Sequence, residues 1–392
     1  MKTLPQWIHR SATLAAGVIR RLDPYYRDSF DRYFRPSIES LAQTIIRLRL
    51  KDHGLDLGQE LIRDDEEQVT TEIADTMNRF LIRHYRNTGK TAERAGNTKT
   101  YGLLKASFTI DDKLPRELKV GLFKKKQTFP AYVRFAGPGP LVTRDVDNNG
   151  ILSIGIKVMG VPGPKLLDDE KSTHDFLGIS SPTFTTPDIY ENLKLQQAIE
   201  KDAPVWYFIN PLDSHYLDAV MQGLYARTHA NPLELTYNSC VPYRYGNNRA
   251  VKYIFRPRIS QKSKVGRLTE NYLREAMVET LAQHPVTFDL YIQIQTDPVS
   301  MPLENASVVW SERSSPPIRV ATIRIPRQTF DSPAQLAFAR NLTFNPWHAL
   351  AEHKPLGNQN RARKYIYQAT SRMRQGINKE QHIEPTGDEV FV

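Results

Sequence analysis

The pattern that most restricts the fold of this chain is a set of short alternating segments set between helical blocks. Leu104, Ala106, Phe108 and Ile110 alternate with other residues, as a half-buried strand requires. Strand character spans 101–160 and returns at 233–240, 249–256, 286–296 and 317–325. Helical spacing fills 5–50, 65–87, 187–201, 212–228, 266–283 and 358–376. Asp64-Asp65-Glu66-Glu67 opens the second of these, and negative charge suits a helix N-terminus. Strands at hairpin spacing with helices outside them predict an α+β chain, an antiparallel β-barrel with peripheral helices. The segment Asp145 to Gly150 reads as a hairpin turn. It lacks a calcium loop's glutamate, since Ile156 stands six residues after Gly150. The expected organisation is a helical extension over 1–60, one large domain over 61–378 and a polar tail over 379–392, ordered only if docked.

Composition narrows the partners. A single cysteine, Cys240, excludes an internal disulfide framework and fits a reducing, cytoplasmic setting. Its place in a strand, between Tyr237 and Pro242, makes it a buried small hydrophobe rather than a ligand. The formal charge of +10 suits anionic ligands or surfaces. The basic residues are dispersed, with Lys124-Lys125-Lys126 the one run of three, and no nucleic-acid motif accompanies them. The apolar run Ala12 to Ile19 is too short to span a bilayer. Residues 5–50 interleave Trp7, Tyr25, Tyr26, Phe30, Tyr33 and Phe34 with Arg10, Arg20, Arg21, Arg27, Arg32 and Arg35. Such basic amphipathic helices lie on a membrane surface, pack against another subunit as in a homo-oligomer, or cover the protein's own core.

In the last helix, Arg363 and Tyr367 are four residues apart and Tyr367 and Arg374 seven. Both intervals return to one helix face, so the three side chains form a stripe. Alone, such a pair fits an ordinary amphipathic helix, because short motifs match by chance.

Ordered agreement elsewhere gives the stripe more meaning. Phe344-Asn345-Pro346-Trp347-His348 runs on through Arg361-Ala362-Arg363 to Tyr367 and Arg374. Before it come Arg94-Ala95-Gly96-Asn97-Thr98-Lys99, then Tyr132-Val133-Arg134-Phe135, then Ile154 to Val158 with Asp175-Phe176-Leu177 and Pro182-Thr183-Phe184. Pro242 to Gly246 follows. These segments, over roughly residues 60 to 376, resemble the catalase superfamily. The pattern is most similar to small catalase-related haem proteins, the group that includes allene oxide synthase-like enzymes acting on fatty-acid hydroperoxides. The resemblance implies a catalase-like antiparallel barrel and haem b. It implies Tyr367 as axial iron ligand, with Arg363 favouring its phenolate. It implies Arg94, Arg134 and Arg374 as cofactor-binding residues that meet the propionates.

The departures from the family pattern lie on the distal side. The family's distal histidine falls at Asn97, with Thr98 the neighbouring candidate, and no histidine occurs between His84 and His174. The distal asparagine falls at Ile179 or Ser180, of which only Ser180 can hydrogen-bond. Asn97, Thr98 and Ser180 are therefore the candidate catalytic positions, and none shuttles a proton at neutral pH as histidine does. Three readings follow. The first is a haem-dependent enzyme transforming organic or lipid hydroperoxides, with weak or no catalase activity. The second is a haem-binding sensor, carrier or assembly protein. The third is a catalase or peroxidase whose shuttle comes from Tyr101, His174 or water.

Overall fold

A computed structural model describes residues 3–50 and 55–391. Residues 1–2 and 51–54 of the expected extension and residue 392 of the expected tail lie outside the described residues. The helices are α1 (Leu4–Tyr33), α2 (Arg35–Leu48), α3 (Glu66–Tyr85), α4 (Ile189–Glu200), α5 (Pro204–Ile209), α6 (Tyr216–Tyr225), α7 (Tyr272–Gln283), α8 (Pro333–Asn341) and α9 (Asn358–Asn378). The strands are β1 (Thr100–Ile110), β2 (Thr128–Ala136), β3 (Ser153–Val158), β4 (His174–Ile179), β5 (Tyr237–Asn238), β6 (Tyr243–Arg244), β7 (Ala250–Pro257), β8 (Val286–Ile294) and β9 (Ile318–Ile325).

Strands pair antiparallel in the order β5-β4-β3-β2-β1-β9-β8-β7, and a β5–β7 pairing closes the ring. The result is an eight-stranded barrel with β6 attached to β7, the architecture expected from the alternating segments. Closure leaves no open edge to pair with another chain. Rings fill the interior: Phe108 stacks on Phe176 with centroids 5.6 Å apart, and Tyr253 meets Phe176 edge-on at 5.0 Å. Truncating one such buried ring to alanine costs about 3–5 kcal/mol. Leu104, Phe108 and Ile110 face this interior, whereas Leu103 on the other face packs beneath α8 against Ala339 and Leu342.

Several elements differ from the sequence reading. The segment at 145–150 is not a tight turn. It lies within a long β2–β3 connection, where Asp145 pairs with Lys99 at 2.7 Å and accepts from the Leu273 amide. The block 212–228 begins only at Tyr216, and α5 precedes it. The strand β4 and the helix α8 went unread. Ser332 caps α8 by accepting from the Gln335 amide, with Pro333 at the first turn. The polar tail is docked: Glu389 accepts from the Tyr132 hydroxyl at 2.7 Å, and Glu384 accepts from the Ser172 amide. No helix among the described residues is long and apolar enough to cross a membrane.

Candidate functional site

Helix α9 lies against α3 and the barrel wall, and its start is fixed by chemistry distant in sequence. Gly357 adopts φ +82°, and a Cβ there would strike the Leu303 carbonyl, so glycine is required. The Glu304 carboxylate then accepts from the Asn358 amide at 2.6 Å, where negative charge suits a helix start. Arg361 is held by Glu66 at 2.6 Å, Glu60 at 2.7 Å and Glu304 at 3.0 Å. Although burial opposes its charge, these three carboxylates hold its pKa up. Ala362 and Ile366 pack with Ile73 and Ala74 of α3. The adjacent face, carrying Arg363, Tyr367 and Arg374, turns to a cleft of about 170 Å3.

The cleft unites most of the residues singled out from sequence. Arg94, Asn97, Arg134, Arg363, Tyr367 and Arg374 line it. Thr98 and Ser180 do not. The Thr98 hydroxyl donates to the carbonyls of Gly139 and Arg94, and it is fully buried. The Ser180 hydroxyl accepts from the Leu152 amide at 2.9 Å, and its side chain borders a different cavity. Ile179, its neighbour, is the residue that faces the cleft. Tyr101 and His174 also lie outside the lining, and burial takes the His174 pKa well below the ordinary value. Cys240 donates to the Ser181 carbonyl, and burial pushes its thiol up to about 12, so it behaves as a buried hydrophobe.

On one side of the cleft, Arg363 donates to the Tyr367 oxygen from Nη2 at 3.0 Å and from Nε at 3.3 Å. Its remaining arm donates to Asn360 Oδ1 at 2.9 Å, which fixes the fork. Burial opposes the Arg363 charge, but Tyr367 and Tyr243 outweigh it and hold its pKa up. Two donors on one phenol oxygen favour negative charge there.

A cluster of buried guanidinium groups also borders the cleft. Arg374 donates to the Asn341 carbonyl and Arg94 to that of Leu342. Arg94 Nη1 and Arg374 Nε are buried and have no hydrogen-bond partner. Arg134 is more fully engaged, donating to the Asn97 carbonyl at 2.9 Å and to Thr100 Oγ1 at 2.8 Å. Among the described residues no carboxylate lies within 4 Å of Arg94, Arg134, Arg363 or Arg374. Burial, and then the neighbouring arginines, take Arg94 well below its usual range, and burial takes Arg134 and Arg374 down to about 10. Such a cluster is a receptor for carboxylates.

Asn97 lines the cleft in a left-handed conformation, φ +47°, which asparagine tolerates. Lys99 and Arg134 anchor its loop. The remaining wall is largely apolar: Met77, Ile154, Gly155, Ile179, Phe184 and Phe344. Among the described residues no His, Lys, Asp, Glu or Cys lines the cleft.

Sequence reading missed the support behind Phe344. Lys157, Glu170, Asp175 and His348 form a buried charged network behind that ring. Asp175 Oδ2 accepts from the Asn345 amide at 2.9 Å, and Lys157 Nζ lies 5.5 Å from the Phe344 ring centre. Lys157 and Asp175 fall within segments that stood out, but nothing local marks Glu170, which is brought in by a loop. Met77 had a signal, being on the inward face of α3.

No protein-family model matches the chain, and no curated protein matches it in sequence. Solved structures do. A fungal catalase matches with a TM-score of 0.58 at 16% identity, over 88% of this chain and 70% of the other. A bacterial catalase gives 0.55 at 15%, over 86% and 67%. Catalase A from Saccharomyces cerevisiae gives 0.58 at 15%, over 84% and 69%. A closed eight-stranded antiparallel barrel flanked by helices, superimposable on three catalases over more than four-fifths of its length, makes this a catalase-like fold.

Proposed function

We propose that the cleft holds haem b with the Tyr367 oxygen as axial ligand to iron. We propose further that the loaded protein transforms organic hydroperoxides, fatty-acid hydroperoxides among them, with weak or no turnover of hydrogen peroxide. The observation that carries this reading is one cleft joining a phenol oxygen gripped by a guanidinium fork to arginines lacking any carboxylate. That donor set fits the group. Ferric iron takes an anionic oxygen, and propionates supply the carboxylates that Arg94 Nη1 and Arg374 Nε lack. Arg134 adds positive charge while holding the Asn97 loop. The cleft, about 170 Å3, is smaller than the roughly 300–1,000 Å3 of most ligand sites, so the cleft must widen to take haem.

When bound, haem supplies an iron centre able to open an O–O bond. The chain's own residues do the rest. Arg363 aims two donors at the phenol oxygen and orients it. Of the three distal candidates only Asn97 opens onto the cleft, so it takes the role of orienting a peroxide by hydrogen bonding. Ile154, Ile179 and Phe184 exclude water and suit an organic substituent. No lining residue accepts a proton near neutrality, and the lack of a general acid–base lowers rate by about 10²–10⁴. Hydrogen peroxide, which needs a proton moved between its oxygens, is thus the poorer substrate. A basic chain suits an acyl carboxylate, and a membrane surface reached through the N-terminal helices suits its supply.

Hemin titration of the purified chain, followed by assays of the loaded protein, tests this. The expected result is loss of conjugated-diene absorbance from a fatty-acid hydroperoxide with little oxygen release from hydrogen peroxide. Tyr367→Phe should strongly weaken haem binding, and an unchanged spectrum at full occupancy would refute the ligand. Rapid oxygen release would overturn the substrate choice. A loaded protein inert in both assays leaves the second reading, a haem-binding sensor, carrier or assembly protein, which the missing proton acceptor also favours.

A further inference from the structure

Helix α1 is inside out. Leu4, Trp7, Leu14, Val18, Leu22 and Tyr25 recur at intervals of three, four and seven, which places them on one stripe. Each is more than half exposed. The stripe is about 32 Å long at 1.5 Å per residue. The buried side of the helix is the polar one. Asp23 accepts from the Thr228 amide at 2.7 Å, and Arg27 donates to the Ala226 carbonyl at 2.9 Å and to Asp31 at 2.9 Å. A helix covering its own core does the reverse. The α1 helix is therefore fastened by polar anchors and presents its apolar face outward. Phe34, Leu41 and Leu48 continue the exposed apolar surface around the turn into α2.

Charge identifies the partner. Arg10, Arg21 and Arg32 are spaced by eleven, three helical turns, and form a row along one flank of the stripe. All three are exposed, and among the described residues none has a carboxylate within 4 Å. Asp28, the exposed acid in that row, is matched by Arg227 at 3.0 Å. The first 50 residues hold nine Lys and Arg against four Asp and Glu, half the chain's formal charge of +10. Trp7, Tyr25 and Tyr33 stand among the exposed side chains, and such amphipathic rings favour a bilayer's headgroup level.

We propose that α1 is an in-plane docking helix for anionic lipid bilayers, with the Leu4–Tyr25 stripe entering the acyl boundary and Arg10, Arg21 and Arg32 meeting lipid phosphates. The proposal rests on this exposed face and not on what the cleft binds. The same helices border a cavity of about 520 Å3 whose lining includes Asp31, Arg35, Ser180 and Asn238. Ile179 and Ser239, the chain neighbours of the last two, line the tyrosine cleft.

Flotation of the full chain with vesicles tests the docking. The probes are phosphatidylcholine alone and phosphatidylcholine with about one-third phosphatidylserine. Wild type should float with the anionic vesicles and far less with the neutral ones. Replacing Arg10, Arg21 and Arg32 with Gln should lower the partition by about a hundredfold. Val18→Asp should abolish it. All four positions are exposed, so circular dichroism should show an intact fold. Tyr367→Phe should float like wild type, which separates this result from the fate of the haem assignment. Equal flotation with both vesicle types, or of the triple variant and wild type, overturns the proposal. So does a wild-type dimer that does not float and that Val18→Asp turns into a monomer, because a second copy would then cover the stripe.

Discussion

Raising the pH from 6.5 to 9 should loosen the wall of the cleft through one residue, His348. Its Nδ1 lies 2.9 Å from Asp175 Oδ2 and its Nε2 lies 3.0 Å from Asp169 Oδ1. Burial and Lys157 oppose its charge, but the two aspartates prevail and raise its pKa to about 9. A histidine raised from 6.5 binds its proton more tightly folded than unfolded. Its stabilisation is complete below about pH 6.5 and is lost as pH climbs through 9. The rise from 6.5 to about 9 corresponds to at most about 3 kcal/mol, and the side chain is too buried for solvent to screen it. Asp169, held down to about 2, reports the same contact and adds nothing further, since it stays ionised throughout this window.

Another group titrates in the same range with the opposite sign. Burial takes Lys252 down to about 8, so stability gains from it as pH rises above 8. The measurement is therefore a difference: urea unfolding of wild type and His348→Gln at steps from pH 6.5 to 9. The variant should be less stable by about 3 kcal/mol at the acid end and converge on wild type at the alkaline end. Because Asp175 also holds the Asn345 amide, and Phe344 lines the cleft, hemin affinity should fall over the same window in wild type alone. Parallel unfolding profiles would refute the assignment of a charged His348.

Arg363→Gln should weaken hemin binding by about 10–100-fold in titration, and Arg363→Lys should not restore it, because one ammonium cannot replace a fork. Asn97→His should raise oxygen release from hydrogen peroxide, since histidine tolerates φ +47° and titrates near neutrality; background rates with haem still bound would reject the position. Adding Ser180→Asn should change little in the same assay, because that side chain borders the other cavity. Gly155→Val places atoms about 3.2 Å from Phe344 and 3.3 Å from Leu177, and should cut hemin uptake and lower stability by about 1–3 kcal/mol in urea unfolding.

The barrel was legible because its strands carry period-two alternation, a local signal that survives without neighbours. The stripe on α9 was legible for a similar reason, since its spacing alone puts Arg363, Tyr367 and Arg374 on one face. What escaped reading depends on which way a short side chain turns in a loop or at a strand end. Thr98 and Ser180 are the cases: each is adjacent in sequence to a cleft residue, and each is turned elsewhere by hydrogen bonds to backbone groups. The strand β4 was hidden because it is only six residues long, with His174 and Asp175 at its start. The three-carboxylate hold on Arg361 was invisible too, since Glu60, Glu66 and Glu304 come from distant segments.

The two sides of the cleft are built to different standards, and the difference has a physical meaning. The tyrosine side is over-determined: Gly357, Glu304, Asn360 and the carboxylates around Arg361 all fix where the Arg363 fork meets Tyr367. The opposite side offers one asparagine on a left-handed turn and a row of apolar walls. Between them stand arginines whose burial disfavours their own charge; Arg134 and Arg374 further disfavour that of Arg94, and Glu93 offsets this only in part. Buried charge that is only partly answered destabilises a fold. An anionic ligand that pairs with Arg94 and Arg374 would remove that penalty, and ligand binding of this sort stabilises the folded state by mass action. If the cleft takes such a ligand, holding it and completing the fold are one event, and the proposed chemistry then depends on what the substrate itself brings.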